Sequence, residues 1–487
     1  MKSCVNTGPT RLLATFIAAL LFVLLAAFTA ADASLPVGKP NIIFILGDDL
    51  GYGDLGCYGQ KRIKTPNLDR MAAEGFRFTQ HYAGSTVCAP SRCALLTGRH
   101  TGHGTIRGNG DGLLKNGEPT LASVLKSAGY RTACVGKWGI GHPPPPGDPQ
   151  RCGFDSFFGY LSMWHAHNSY PEFLWRNSEK VPLRNVVRHP VEHYKDGQAE
   201  LTGYAEQRSD FAPDLFTQEA LQVIRAKDRP FFLMLCYPVP HANNEARELG
   251  AAHGIEVPHF GPYHEESWPA VEKAKAAVIS RMDADIGSLF EELKKLEIDG
   301  GTLVLFSSDN GPHREGGVKP EFFQSSGPLR GGKRDLYEGG IRVPLLARWP
   351  GHIKAGRISD HPSAFWDMLP TFAELAGLAV PKETDGLSLV PELMGRAQPA
   401  HEYLYWEFHE GASQQAVRKR DWKAVRLAPS KPIELYDLQS DPGETRNVAD
   451  SNTDVVRAME EIFHKTRSDE RIWPLQETPS NTQPNKK

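Results

Sequence analysis

At 487 residues, 40% of them hydrophobic and 23% charged, the chain can bury a large core, and its length argues for one big domain with a smaller one beside it. A formal charge of -3 excludes any global electrostatic reason to expect nucleic acid or a stable membrane partner, so an anion handled here needs a local positive field. Seven cysteines (Cys4, Cys57, Cys88, Cys93, Cys134, Cys152 and Cys236) are too few and too scattered for a disulfide scaffold, and none has the CxxC spacing of a zinc site.

The chain opens with Lys2 and Arg11 around a run of apolar, small and threonine residues from Leu12 to Ala30, and Ala31-Asp32-Ala33 offers a cleavage point before Ser34. Residues 1–33 therefore read as a secretory signal peptide, with a retained membrane anchor as the alternative because the run is longer than a usual signal core. Export would place the protein in the periplasm or outside the cell. It would also permit a disulfide, with Cys134 and Cys152 as one pairing.

Beyond this segment, strands and helices alternate. Asn41 to Leu46 (NIIFIL) is a buried-strand run ending in Gly47-Asp48-Asp49. Pro66 to Glu74 has helical spacing and closes at Gly75, and Leu121 to Ala128 is a short helix stopped by Gly129. Tyr130 to Val135, Phe231 to Tyr237 and Thr302 to Ser307 are further strands, and Val271 to Leu296 is a long amphipathic helix. Pro143 to Pro146 is a stiff loop. Such strands, apolar without strict alternation and separated by helices, predict an α/β fold with a mostly parallel sheet covered on both faces.

The texture changes near residue 365. Phe365 to Ala376 is a helix, and Glu402 to Asp437 then reads as three or four short antiparallel strands. The turn Ser440-Asp441-Pro442-Gly443 follows, then a last helix near Asp454 to Arg467. These breaks divide the chain into a main α/β domain over 38–375, a C-terminal subdomain over 376–475, and a polar, disordered tail over 476–487.

Two strand ends carry acid-rich sequences, Asp48-Asp49 and Asp309-Asn310-Gly311. Ligands collect at the carboxyl ends of parallel strands, and paired carboxylates repel unless a cation or proton lies between them. Three carboxylates and an amide oxygen suit calcium or magnesium and fit zinc or copper poorly. Either pair alone could simply cap a turn. Cys88-Ala89-Pro90-Ser91-Arg92-Cys93 places a sulfur at a helix start with Arg92 one turn on, either as an activated group or as a buried structural cysteine.

Cys88-Ala89-Pro90-Ser91-Arg92 followed by Leu96-Thr97-Gly98-Arg99 resembles the signature of the type I, formylglycine-dependent sulfatases of the alkaline-phosphatase superfamily. The resemblance runs from about residue 40 to about residue 450. It takes in Asn41 to Gly53, Gly136-Lys137-Trp138, Pro240-His241, Ser308 to Gly311, Leu329 to Lys333, Tyr337 to Pro344 and Leu435 to Leu438 with Asp441-Pro442. It implies an alkaline-phosphatase-like sandwich with a small C-terminal antiparallel sheet, and release of inorganic sulfate from a sulfated carbohydrate or a small aryl or alkyl sulfate. It further implies a maturation enzyme that oxidises Cys88 to formylglycine, and a single calcium ion on Asp48, Asp49, Asp309, Asn310 and the hydrated residue 88, which is also the nucleophile. Arg92, Lys137 and Lys333 are similar to the family's basic residues around sulfate and nucleophile, and His241 to the histidine that protonates the leaving oxygen. His313 sits where the family often faces substrate.

Many members read Gly-Lys-Trp-His where this chain has Gly139. His167, in Trp164-His165-Ala166-His167-Asn168, is the expected replacement or substrate contact, and Gly-Lys-Trp-Gly with a later Ala-His-Asn resembles an arylsulfatase-like bacterial subgroup. Glu338 and Arg342 are expected to fix the loop after Lys333, and Trp164, Trp175 and Trp406 to pack rather than stack on sugar. Two other functions fit the same scaffold: a phosphonate or phosphate monoester hydrolase, and a non-catalytic glycan-binding relative.

Overall fold

The computed structural model describes residues 38–109, 114–140, 149–189, 202–226, 228–469 and 471–477, together with Met1. The expected signal segment, the proline run and the tail beyond residue 477 lie outside the described residues. Gln476, at the start of that tail, accepts a backbone hydrogen bond from Ser413. Among the described residues no helix is long and apolar enough to cross a membrane.

In chain order the first strands are β1 (Asn41–Asp48), β2 (Phe76–Tyr82), β3 (Arg131–Lys137), β4 (Ser156–Tyr160), β5 (Phe173–Arg176) and β6 (Glu179–Pro182). A small ribbon of β7 (Val186–Arg188) and β8 (Tyr204–Gln207) follows. Next come β9 (Phe231–Pro240), β10 (Thr302–Ser308), β11 (Arg342–Arg348), β12 (Arg357–Ser359) and β13 (Ser363–Ala364). They form one sheet in the order β12-β2-β11-β10-β1-β9-β3-β4-β5-β6, with β13 also on β2. The central block β10-β1-β9-β3-β4 is parallel throughout, as the uninterrupted apolar runs predict.

Helices cover both faces. They are α1 (Pro66–Glu74), α2 (Cys88–Thr97), α3 (Leu121–Ser127), α4 (Ala212–Arg225), α5 (Ala270–Lys295), α6 (Met368–Leu375) and α7 (Thr453–Lys465), besides several single turns. Alternate residues of β1 face opposite layers. Ile43 and Ile45 pack in one core with Phe216 and Ile224 of α4 and Ile279, Met282 and Ile286 of α5, while Phe44 meets Phe365 and Phe372 edge-on across the other face.

The C-terminal strands β14 (Leu404–Phe408), β15 (Gln414–Lys419), β16 (Trp422–Arg426) and β17 (Glu434–Asp437) form the expected antiparallel sheet, two of them from the single stretch 414–426. The described residues from Lys39 onward make one compact unit, so this sheet is built onto the larger one. Val87 and Ala94, before and within α2, share a buried cluster with Trp406, Ala416, Val425 and Tyr436, and Trp406 Nε1 donates to the Ala83 carbonyl at 2.9 Å.

A buried ionic knot joins the two sheets. Glu338 accepts from Tyr82 Oη at 2.7 Å and Lys423 Nζ at 3.0 Å, and Arg342 Nη1 lies 3.3 Å away. The same ammonium lies 2.9 Å from Glu444. Burial alone would raise the Glu338 carboxyl, but Lys423 and Arg342 hold it down to about 2, whereas burial and the neighbouring Glu338 push Glu444 up to about 7. Glu338 and Arg342 thus fix the loop that carries Lys333, as expected.

Cys134 and Cys152 form no disulfide with each other, contrary to the pairing that export would permit. Cys134 is fully buried on β3, and burial, with the Cys236 thiol of β9 adding to it, pushes its thiol well above the ordinary value.

Lys423→Met removes the cation shared by two buried carboxyls, and their folded-state pKa values then rise above the unfolded ones. Groups shifted in that direction destabilise as pH rises. Denaturant titrations should show a loss of about 3–5 kcal/mol at pH 8 and a smaller one at pH 5.5; a loss equal at both pH values would contradict this account of the knot.

Candidate active site

Four neighbouring parallel strands open onto one rim. β1 delivers Asp48 and then Asp49, whose backbone is left-handed with φ 65°. β10 is followed at once by Asp309 and Asn310, β9 runs to Pro240 and delivers His241, and β3 ends on Lys137. All six side chains are buried. The turn after β10 is pinned by Ser308 Oγ, which accepts from the Leu50 amide and donates to the Asn310 carbonyl, both at 2.9 Å.

Cys88 is the first residue of α2, every residue of which is buried. The helix stops at Gly98, whose φ of 69° lets its amide turn back to the Ala94 carbonyl. Cys88 Sγ lies 3.6 Å from Asp48 Oδ1 and 3.4 Å from Lys137 Nζ. The helix start and nearby cations favour an activated thiol, and burial opposes it. Burial outweighs Lys137 and, with Asp48 and Asp309 adding to it, pushes the Cys88 thiol well above its ordinary value.

Each predicted cation is clamped onto a carboxylate. Arg92 Nε and Nη2 donate to Asp309 Oδ2 at 3.0 and 2.8 Å, and Nη1 donates to the Lys137 carbonyl at 2.7 Å. Expected around the sulfate, Arg92 is wholly buried and ties the end of β3 to the end of β10. Lys137 Nζ donates to Asp48 Oδ2 at 2.7 Å. Lys333 comes from a loop whose backbone bonds to Pro312 and Thr86, one residue past β10's turn and two before Cys88. Its Nζ reaches Asp49 Oδ2 at 2.9 Å, Glu315 Oε2 at 3.0 Å and His241 Nε2 at 3.2 Å.

His241 lies between two other imidazoles. His167 stacks on it with ring centroids 4.9 Å apart, and His313 stacks at 5.9 Å. His241 Nδ1 donates to the Ala242 carbonyl at 2.7 Å, which leaves Nε2 facing Lys333. Burial, reinforced by Lys333, draws this ring down to about 3. His167 Nδ1 is held 3.1 Å from both oxygens of Glu245. His313 does not offer substrate a free nitrogen: Nε2 bonds the Pro240 carbonyl and Nδ1 accepts from the Glu315 amide, both at 3.0 Å. It supports His241 and Glu315 instead. Trp406 and Trp175 are core residues, and Trp164 packs edge-on against His167.

Gly139 has φ 70°, and a Cβ there would meet Arg92 Cδ at 3.1 Å and the stems of Arg92 and Lys137 at 3.4 Å. With Arg92 and Lys137 in these positions, glycine is the residue that fits. His167 does not fill that space; it stands at His241.

The three strand-end carboxylates are completely buried, and burial together with Asp48 pushes Asp309 up to about 7 despite Arg92. Asn310 Nδ2 donates to Asp49 Oδ1 at 2.7 Å, while its Oδ1 is buried with no hydrogen-bond partner. An unpartnered amide oxygen among crowded carboxylates fits a hard divalent cation, and an oxygen at position 88 fits beside it better than a protonated thiol. Asp48, Cys88 and Asp309 can bring one atom each within 4.8 Å of one another.

Glu315 and Glu245 were not picked out in the sequence. Glu315 follows the His313-Arg314 pair in an irregular loop, where no periodicity or motif marks it.

A family model described as Sulfatase matches residues 40–378, and one described as N-sulphoglucosamine sulphohydrolase, C-terminal, matches residues 331–469. The chain is 34% identical to arylsulfatase A of Homo sapiens over 480 residues, covering 89% of each chain. It is 33% identical to N-acetylgalactosamine-6-sulfatase of Mus musculus, covering 92% of this chain and 83% of that one. Among solved structures it is similar to Ps i-CgsB in complex with k-i-k-neocarrahexaose, with a TM-score of 0.73, 29% identity, and coverage of 88% and 93%.

Arg92→Lys keeps the charge but loses the forked donation to Asp309 and the bond to the Lys137 carbonyl. Thermal or chemical melts should register a loss of about 3 kcal/mol. An unchanged midpoint would mean that the clamp is not holding the strand ends together.

Proposed function

Because the chain belongs to the sulfatase family and hydrolyses sulfate esters, we propose that its substrate is a sulfated carbohydrate, cleaved at an aldehyde formed from Cys88 beside a calcium ion. The observation that carries this reading is the packing of Arg92, Lys137 and Lys333 against three buried carboxylates, with residue 88 among them. The carbohydrate assignment is supported by the name of N-acetylgalactosamine-6-sulfatase and by the neocarrahexaose complex of Ps i-CgsB. Lys2, Arg11 and the apolar run Leu12 to Ala30 support export to the periplasm or beyond, with a formylglycine-generating maturation enzyme as partner.

Asp48, Asp49, Asp309 and Asn310 would hold calcium, which when bound supplies a Lewis acid, and the aldehyde made by oxidising Cys88, once hydrated to a gem-diol, would supply the hydroxyl oxygen that attacks sulfur. The chain's own residues do the rest. Lys137, 3.4 Å from the side-chain atom at position 88, offsets charge that grows there. Lys333 and His241 present Nζ and Nε2 3.2 Å apart, a pair of nitrogens spaced to take neighbouring sulfuryl oxygens. His241 can take or give a proton at Nε2 alone, since Nδ1 is committed to Ala242. Burial is the larger cause of this ring's lowering and Lys333 the next; an anion arriving beside Lys333 offsets the latter and favours the imidazolium that protonates the departing alkoxide. His167, stacked on His241 and braced by Glu245, keeps the ring plane fixed.

Cys88→Ala should cut sulfate release by about 10⁴-fold or more while leaving the melting curve within error of the parent. Mass spectrometry of the peptide spanning residue 88 should show an aldehyde in active protein. Active enzyme carrying an unmodified thiol would sink the proposal. Exhaustive chelation should abolish turnover and lower the melting midpoint, with both restored by added calcium, because a ligand bound only by the folded state stabilises it.

A further inference from the structure

The mechanism above leaves one half-buried acid at the site unexplained. Glu315 reaches into the site at Lys333, 3.0 Å from Nζ, and lies 3.5 Å from His241 Nε2, the two groups assigned to the sulfuryl oxygens. Its backbone amide is held by His313 Nδ1, so its position is set by the fold and not by a mobile side chain alone. From Glu315 a chain of charges runs along the rim. Arg334 Nη1 donates to Glu315 Oε1 at 2.6 Å and Nε to Glu410 Oε2 at 2.7 Å. Asn109 Nδ2 donates to Glu410 Oε1 at 3.0 Å and its Oδ1 accepts from the Ala89 amide, next to residue 88, at 3.2 Å.

Along Asp49, Lys333, Glu315, Arg334 and Glu410, acids and bases alternate, beginning and ending with an acid. Asp49 belongs to the metal ligands, and outside them Glu315 is the acid at the Lys333 and His241 nitrogens, so a fixed negative charge stands beside the sulfuryl oxygens. A site that binds an anion gains nothing in affinity from such a carboxylate. It does gain discrimination, because the penalty falls twice as heavily on a dianion as on a monoanion. A sulfate monoester carries one negative charge at neutral pH, and a phosphate monoester carries close to two.

We propose that Glu315 is a specificity-determining residue, a fixed carboxylate that admits the monoanionic sulfate ester and turns away the dianionic phosphate ester. The inference rests on the sulfatase reading and goes beyond it. It assigns the choice between sulfate and phosphate to a side chain whose hydrogen bonds go to Lys333 and Arg334 and not to residue 88 or the strand-end acids.

The experiment compares the aryl sulfate, the aryl phosphate and an aryl phosphonate monoester with one leaving group at pH 8, by kcat/KM and by competitive inhibition constants where turnover is slow. It uses the mature enzyme, Glu315→Gln and Glu315→Asp. Glutamine keeps an oxygen for Lys333 and loses the charge; aspartate keeps the charge and alters the reach. Glu315→Gln should shift preference toward the phosphate by about tenfold, an interaction of unit charges a few ångströms apart after screening. The phosphonate monoester, a monoanion like the sulfate, should keep its ratio to the sulfate within about twofold in that variant, and Glu315→Asp should keep the parent's preference. A flat phosphate-to-sulfate ratio in Glu315→Gln, or a rise shared by the phosphonate, would overturn the assignment. An unsubstituted enzyme that turns over no sulfate ester would instead overturn the sulfatase reading beneath it.

Discussion

Burying a carboxylate is expensive unless a cation meets it, and this fold buries three within one strand-end rim. Asp48 is met by Lys137, Asp309 by Arg92 and Asp49 by Lys333, each at hydrogen-bond distance. Much of the local architecture follows from supplying those partners. α2 must start where it does so that Arg92 points back at β10. β3 must run to Lys137. The loop after residue 330 must dock on Pro312 and Thr86 so that Lys333 arrives from the far side.

The parallel sheet makes this arrangement inexpensive in chain geometry. Neighbouring parallel strands end on the same edge, so residues 48, 137, 241 and 309 converge without any long excursion. What the sheet cannot do is hold the fourth side of the rim. That task passes to the loop of residues 331–342 and, behind it, to the C-terminal sheet through Lys423, Glu338 and Glu444. The smaller sheet is thus part of the site's foundation, although none of its residues has a proposed role in the chemistry.

The central strands β1, β9 and β10 were legible because continuous apolar runs of six or seven residues are hard to read otherwise, and the acids after β1 and β10 were legible because charge so close to such runs needs an explanation. Lys137 and His241 were reached through a family resemblance. The expected strands stopped at Val135 and Tyr237, and only the true ends of β3 and β9 explain on physical grounds why those two residues face the acids. The amphipathic helix α4, the strands β2 and β11 to β13, and the short strands β4 to β8 went unseen. β5 to β8 span only three or four residues each, near the edge of the large sheet or in a separate ribbon, and too few to show a period. Arg92 was identified, but its carboxylate partner Asp309 was not, since sequence shows a cation one turn into a helix and not what lies opposite it. The ring order His167-His241-His313 and the place of Glu315 depend on loops meeting across the sheet, which no local pattern encodes.

The complete burial of α2 has a consequence for the order of events in the life of the chain. Part of what covers this helix is β14 to β17, which the ribosome makes about three hundred residues later. At about 5–20 residues per second, the segment around residue 88 spends roughly 15–60 s without its lid. Once the chain is folded, residue 88 is 3% exposed. A second protein that must act on this side chain meets it on the unfolded polypeptide, and a molecule that closes unaltered has missed its opportunity for as long as it stays folded.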